Sequence, residues 1–408
     1  MKRYENAFSD LNKSLEIEKN SLALSNRGIT YKMINNYEKA LLDLSTSLTI
    51  EPNDAFTLSH RIEIYLMNNR YEEALSDLNK LLNIEPYNIF ALNNRGEIYR
   101  MKSRYEDALL DLNKSLKLNS CNPFSLRSRG AIYRVTNQYE KALLDLNESL
   151  KIKSNDVFAL NNRGATYLMM DRYEEALLNF DKSLQIEPNN VFALINRGAT
   201  YLMMNGYEES LLDFDKLLEI EPNNVFALIN RGTIYRLMYR YKDALTDLNR
   251  SIELKPNDAF ALSKRGEIYR IMNKYEEALS DFNESLKIKS NNAFALSNRG
   301  AIHRIMERYK EALIDLNSSL AIEPNNVFTL RNRGIAHRMM KNYDESISDL
   351  TESLKFEPND TFTLEHRALS CYMFGIYKEA FSDINRSLEI KPYKPKPNNT
   401  IILSYRGE

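Results

Sequence analysis

Glu187-Pro188-Asn189-Asn190-Val191-Phe192-Ala193-Leu194-Ile195-Asn196-Arg197-Gly198 returns without a single change at residues 221–232. The copies lie 34 residues apart, and that interval runs through the chain. Arginine stands at Arg27, Arg61, Arg95, Arg129, Arg163, Arg197, Arg231, Arg265, Arg299, Arg333 and Arg367, every step being 34. A tyrosine keeps the same spacing eleven times, from Tyr37 through Tyr207 to Tyr377. Self-similarity at such a period marks a repeat array rather than a set of globular domains.

Positions within the repeat are numbered 1–34 from Ser21. Positions 4, 8 and 11 hold Leu, Gly and mostly Tyr, as in Leu92, Gly96 and Tyr99, an i, i+4, i+7 pattern that predicts one apolar helix face. Positions 17, 20, 21, 24 and 28, as in Tyr105, Ala108, Leu109, Leu112 and Leu116, predict a second helix. Asn or Asp at positions 33–34, as in Asn189-Asn190, suits an N-cap of the first helix. Pro at position 32 in eight repeats, Pro52 and Pro188 among them, is expected to stop the second helix. Glu174 and Glu175 fall in that helix's first turn, where the helix dipole favours them. One such hairpin cannot bury its apolar face alone, so the fold class is all-α, a solenoid of stacked helix-turn-helix repeats.

Period 34 with Leu-x-x-Arg-Gly-x-x-Tyr, then Tyr-x-x-Ala-x-x-x-Leu/Phe, then Pro, resembles the tetratricopeptide repeat (TPR) family. Tyr99, Tyr105, Ala108, Leu112 and Pro86 stand in its signature positions, and the likeness covers essentially the whole chain. The chain departs from the pattern in having no Trp and in carrying Arg where many members have Leu. Ile62 and Ala368 replace the glycine, which predicts looser packing in the second and eleventh repeats. The resemblance implies a right-handed superhelix that binds peptides on its concave side.

At about 100° per residue, positions 2, 6, 9 and 13 form a stripe opposite the core, and the resemblance places that stripe in the groove. Position 6 is Asn26, Asn94, Asn162, Asn196, Asn230, Asn298 and Asn332, with His60, Ser128, Lys264 and His366 between them. A primary amide donates and accepts, so it can hold an extended peptide's main chain without reading its sequence. The TPR domains of O-linked N-acetylglucosamine transferases, which this chain resembles, use such an asparagine ladder. The alternative is that Asn merely caps or solvates an exposed face. Phe fills position 2 ten times running, Phe192 and Phe226 included. Packing against adjacent first helices is its expected role, an apolar rail for a partner the alternative. Position 12 is Arg in six repeats, including Arg236 and Arg270, and could meet acidic side chains or be a solvated edge. Thirteen of fourteen Met occupy positions 13 and 14, as adaptable filler at the helix end. Arg at position 7 and Asp at position 23, with Asn179 the one exception, predict a structural ladder of forked ion pairs.

Other functions find little material. The formal net charge of −1 gives no basic excess for nucleic acid or an anionic membrane. Phe at position 2 removes a lysine that a chaperone-tail clamp would need, and the strict period of 34 with neutral charge opposes RNA-reading pentatricopeptide arrays. His303, His337 and Cys371 share position 11 in successive repeats and read as core substitutions, not metal ligands. The Asn-x-Ser triplets at Asn113, Asn147, Asn249, Asn283, Asn317 and Asn385 recur because the repeat does. No catalytic motif occurs, so neither an enzyme nor a cofactor is expected. No membrane span or secretory leader is legible, and a cytoplasmic chain is expected, with the nucleus open.

The domain reading is a partial repeat at 1–20, eleven complete repeats over 21–394, and a short insertion with a truncated twelfth repeat at 395–408. Two broken ends predict a truncated gene product. The functional expectation is a scaffold or adaptor binding extended peptide segments in its groove. The alternative is the recognition array of a larger enzyme, of glycosyltransferase or kinase type, whose catalytic domain lies outside this chain.

Overall fold

The computed structural model describes residues 2–391, with the side chains of 2–4 left aside. Among these residues there are 23 α-helices and no strand, and each repeat supplies a first helix and a second. Val225–Leu237 and Tyr241–Leu254 are typical, at 13 and 14 residues. The expected insertion and twelfth repeat at 395–408 lie outside the described residues. The chain divides into two compact units between Gly206 and Tyr207. Each is a stack of helix hairpins, the expected all-α solenoid.

The hairpin is specified locally at three points. Position 34 caps the first helix: Asn190 Oδ1 accepts from Ala193 N at 3.0 Å and Asn224 Oδ1 from Ala227 N at 2.9 Å. Position 15 then turns the chain in the left-handed region, with φ of 57° at Asn69, 60° at Tyr239, 62° at Glu307 and 65° at Lys341. Its neighbour at position 16 closes a Schellman-type turn, as where Arg70 N donates to Tyr65 O at 2.8 Å. Where position 15 is Asn, the position 17 tyrosine often ties it down, as Tyr71 does by donating to Asn69 Oδ1 at 2.7 Å.

The end of the second helix follows a different rule from the one expected. It stops at Leu118, Ile152 and Ile288, ahead of Ser120, Ser154 and Ser290, at the same repeat position as ahead of proline. Proline is therefore compatible with the stop but not required for it.

The core sits between the two helices of each hairpin and the next hairpin. Position 8 is glycine because the helices cross closely there: a Cβ on Gly300 would lie 2.7 Å from Leu316 Cγ, and one on Gly130 2.7 Å from Leu146 Cγ. Ile62 and Ala368, where looser packing was expected, are both buried.

The arginine ladder is present as anticipated. Arg231 Nε and Nη2 each donate to Asp247 at 2.8 Å, and its Nη1 reaches back to Asp215 of the preceding repeat at 2.7 Å. Arg95 and Arg129 repeat the geometry with Asp111 and Asp145, their third donor going to Asn79 and Asn113. Each guanidinium thus ties its own hairpin together and also holds the hairpin before it. Asn113, Asn147, Asn249, Asn283 and Asn317 of the Asn-x-Ser triplets are acceptors in this ladder.

Candidate functional site

Within each unit, neighbouring first helices approach one another, as Pro123–Val135 does Val157–Met169 and Ala293–Ile305 does Val327–Met339. Second helices do not come together to that degree among the described residues. Each stack is therefore tighter on its first-helix side, and that side carries positions 2, 6, 12 and 13.

Phe at position 2 does not pack away as expected. None of the ten is buried, and Phe56, Phe192, Phe226, Phe260 and Phe362 are exposed. The reason is geometric. Leu at position 4 is buried in every repeat from Leu24 to Leu364 and takes the core side of this turn, leaving position 2 at the rim. Several rings are instead covered from above by cations: Lys264 Nζ stands 4.2 Å from the Phe294 ring centre, Arg270 5.4 Å from Phe328, and Arg100 5.2 Å from Phe158. The position 13 methionines Met33, Met67, Met101, Met169, Met203, Met339 and Met373 are exposed too, whereas position 14 is mostly half-buried. Two apolar columns thus flank the asparagines.

The asparagines divide into two kinds. In six of them Nδ2 donates to the phenylalanine carbonyl one turn earlier, at 2.7 Å for Asn196 and Asn332, 2.8 Å for Asn94, Asn162 and Asn230, and 2.9 Å for Asn298. That bond pins the amide. In Asn162, Asn298 and Asn332 the remaining oxygen accepts from Arg134, Arg270 and Arg304 Nε at 3.1, 2.8 and 2.9 Å, and all three amides are buried. Asn94, Asn196 and Asn230 follow repeats whose position 12 is Leu66, Leu168 or Leu202. Their Oδ1 accepts no hydrogen bond among the described residues, and they remain half-buried. Asn26 is half-buried as well.

Arginine at position 12 therefore reaches across to position 6 of the next repeat, 28 residues on. Single-repeat reasoning missed this link, although the co-occurrence of Arg and Asn at that interval was readable. Arg236 is placed otherwise: it faces Lys264, and Glu267 stands between them, 3.5 Å from Arg236 and 3.9 Å from Lys264. Arg100, Arg127 and Arg134 line an open recess of about 630 Å³ with Phe158, Asn162 and Phe192. There Arg127 pairs with Asp156 at 2.6 Å and Arg100 with Glu97 at 2.6 Å.

Electrostatics follow burial. Loss of water lowers the pKa of Arg134, Arg270 and Arg304 below the usual guanidinium value; neighbouring arginines add to the effect, and at Arg270 Glu267 opposes it. His366, at position 6 of the last described repeat, is pushed down to about 4, first by burial and then by Arg338, Arg304 and Arg331. His303 and His337 are lowered by burial, and burial raises the thiol of Cys371. Among the described residues no group of three or more His, Cys, Asp or Glu could hold a metal, and no helix is long and apolar enough to cross a membrane.

Known proteins give the same picture of the repeat. Sequence models of the tetratricopeptide repeat match residues 157–190 and 259–292. No curated protein matches the chain in sequence. Among solved structures, a chain of the APC/C hetero-tetramer Cut9–Hcn1 is similar at 14% identity and TM-score 0.57, over 96% of this chain and 91% of that one. A tetratricopeptide repeat protein from Parabacteroides merdae has 24% identity and TM-score 0.45, over 60% of this chain and 97% of its own. The TPR domain of P58(IPK) has 18% identity and TM-score 0.42, over 90% and 99%.

Proposed function

The chain is a tandem array of tetratricopeptide repeats, a fold typical of protein-interaction modules, and on that premise we propose that it is a scaffold whose first-helix faces hold extended segments of partner proteins. The observation that carries this reading is the exposure of Phe192 and Phe226, at 40% and 50%, each one turn before an asparagine whose amide oxygen is open. Exposed aromatic rings supply contact area at small entropic cost, and a pinned amide oxygen can accept from a passing main-chain N–H. Asn94, Asn196 and Asn230 are the best-placed acceptors, with Asn26 a further candidate at the array's start. Asn162, Asn298 and Asn332 act by holding Arg134, Arg270 and Arg304 in place.

Two variants of the intact array test this in a proteome pull-down. Asn196→Ala with Asn230→Ala is expected to lose partners. Phe192→Ser with Phe226→Ser is expected to lose them with unchanged thermal melting, since neither ring is buried. Partner sets equal to wild type in both would sink the proposal.

A further inference from the structure

The inner faces of the two units differ in how their cations are balanced. In the first unit Lys32 pairs with Glu63, Arg100 with Glu97 and Arg127 with Asp156, and Arg134 is the position 12 arginine that rests on an amide, that of Asn162. In the second, position 9 supplies Glu267 beside Arg236 and Lys264, but it is Ala301 and Ile335 in the next two repeats. Arg331 is answered by Glu357 at 2.8 Å and Asp360 at 3.0 Å. Arg270 and Arg304 form no ion pair among the described residues: Nε of each donates to the amide of Asn298 or Asn332, Arg270 also stands over the Phe328 ring, and Glu267 one turn earlier acts on Arg270 without pairing with it. Arg338 continues the column, with Nη2 3.4 Å from His366 Nδ1. Their proximity is felt electrostatically, since Arg338 and Arg270 both act on Arg304.

A column of like charges, partly desolvated and held in register by amides, is unfavourable by itself. An anionic ligand would relieve it. Packed helix axes stand about 8–10 Å apart, and a chain in the polyproline II conformation advances about 3.1 Å per residue with three residues per turn, so every third side chain faces the same way. One rung therefore corresponds to about three residues. We propose that the first-helix face of residues 259–366 binds an extended acidic protein segment with Asp or Glu at every third position. The carboxylates take the free Nη donors of Arg270 and Arg304, while intervening apolar side chains lie against the exposed Ile305 and Met339. A nucleic acid strand fits less well: its closely spaced phosphates would also meet Glu267, Glu357 and Asp360, and the chain's net charge of −1 gives no long-range attraction. The inference rests on the scaffold reading above and adds the chemistry and register of the partner.

Fluorescence anisotropy on the full chain tests it with labelled peptides: (Glu-Leu-Gly)₄, the same composition with its glutamates contiguous, (Gln-Leu-Gly)₄, and a single-stranded oligouridine. The spaced glutamate peptide is expected to bind roughly tenfold tighter than either other peptide, more weakly as salt rises. Arg270→Gln with Arg304→Gln is expected to remove that advantage, and Arg270→Lys with Arg304→Lys to keep most of it. Circular dichroism melting reports whether each variant folds, and the peptide comparison on wild type stands without them. Equal binding of the glutamine peptide would overturn the acidic preference while leaving the scaffold reading intact. Equal binding of the contiguous peptide would overturn the register. Tighter oligouridine binding would overturn the choice of partner, and no peptide binding at all would count against both proposals.

Discussion

Arginine recurs at two positions of this repeat with the same pitch, and the two columns live in different ways. At position 7 each side chain meets acceptors supplied by the repeat itself, so Arg231 sits between Asp247 and Asp215 with all its donor groups engaged. At position 12, Arg304 has one amide oxygen and no carboxylate. The difference teaches how to read a periodic charge. When the period also carries its counter-charge within reach, the charge is holding hairpins together. When the counter-charge is absent from the period, the repeat alone does not account for the charge, and a partner becomes the reading to test.

The most forceful way to break the comparison is Arg231→Met. It leaves Asp247 buried and without its cation, and loss of one member of a buried pair costs about 3–5 kcal/mol. Urea denaturation of the full chain, with hydrogen exchange followed in Val225–Leu237 and Tyr241–Leu254, should show a large local loss of protection. Protection equal to wild type would mean that the ladder decorates the stack rather than holding it.

Acid probes the inner column. His366 has a folded value of about 4 against an ordinary 6.5, because burial and three arginines oppose its protonation. Between those values the unfolded chain binds the proton that the folded chain refuses, so stability is full above about pH 6.5 and falls as pH drops toward 4. The loss from this group is at most about 3 kcal/mol. His60, His303 and His337 are lowered too and act in the same direction. His366→Asn, which restores the commonest residue at position 6, isolates the contribution of one histidine. The urea midpoint of the variant should exceed wild type by more at pH 4.5 than at pH 7.5. A pH-independent difference would show that the arginine column does not act on His366.

The smallest effect sharpens the outer ladder. Arg163 is its odd rung, with Asn179 and Asn147 as acceptors in place of carboxylates, and burial lowers its pKa. Asn179→Asp supplies the missing charge at the cost of the Asn179 Nδ2 bond to Glu175 O. A gain of about 1 kcal/mol is expected, read as a raised denaturation midpoint. An unchanged or lowered midpoint would show that hydrogen bonding, and not charge, is what the rung needs.

Much of the fold was legible because its signals repeat. Leu at 4, Gly at 8 and Tyr at 11 announce a helix face in any one copy, and eleven copies remove the ambiguity. The Arg–Asp ladder was legible for the same reason. What escaped were properties that belong to the space between repeats. The phenylalanine column reads as core by hydrophobicity, yet Leu at position 4 already holds the core side and leaves the rings at the rim. The asparagine ladder reads as uniform, yet its amides divide according to whether the preceding repeat brings Arg or Leu across 28 residues. Proline reads as the helix stop, yet the helix ends at the same position where Ser120, Ser154 and Ser290 stand in its place.

The sequence by itself determined the unit and its stacking: a 34-residue helical hairpin with a capped start and a ladder of forked arginines. These follow from local backbone preference and from partners carried within the period. Which side chains face out on the inner surface, and which cations go unanswered there, only the tertiary structure decided. Exposure and counter-charge depend on several repeats at once, and no single copy of the motif contains them.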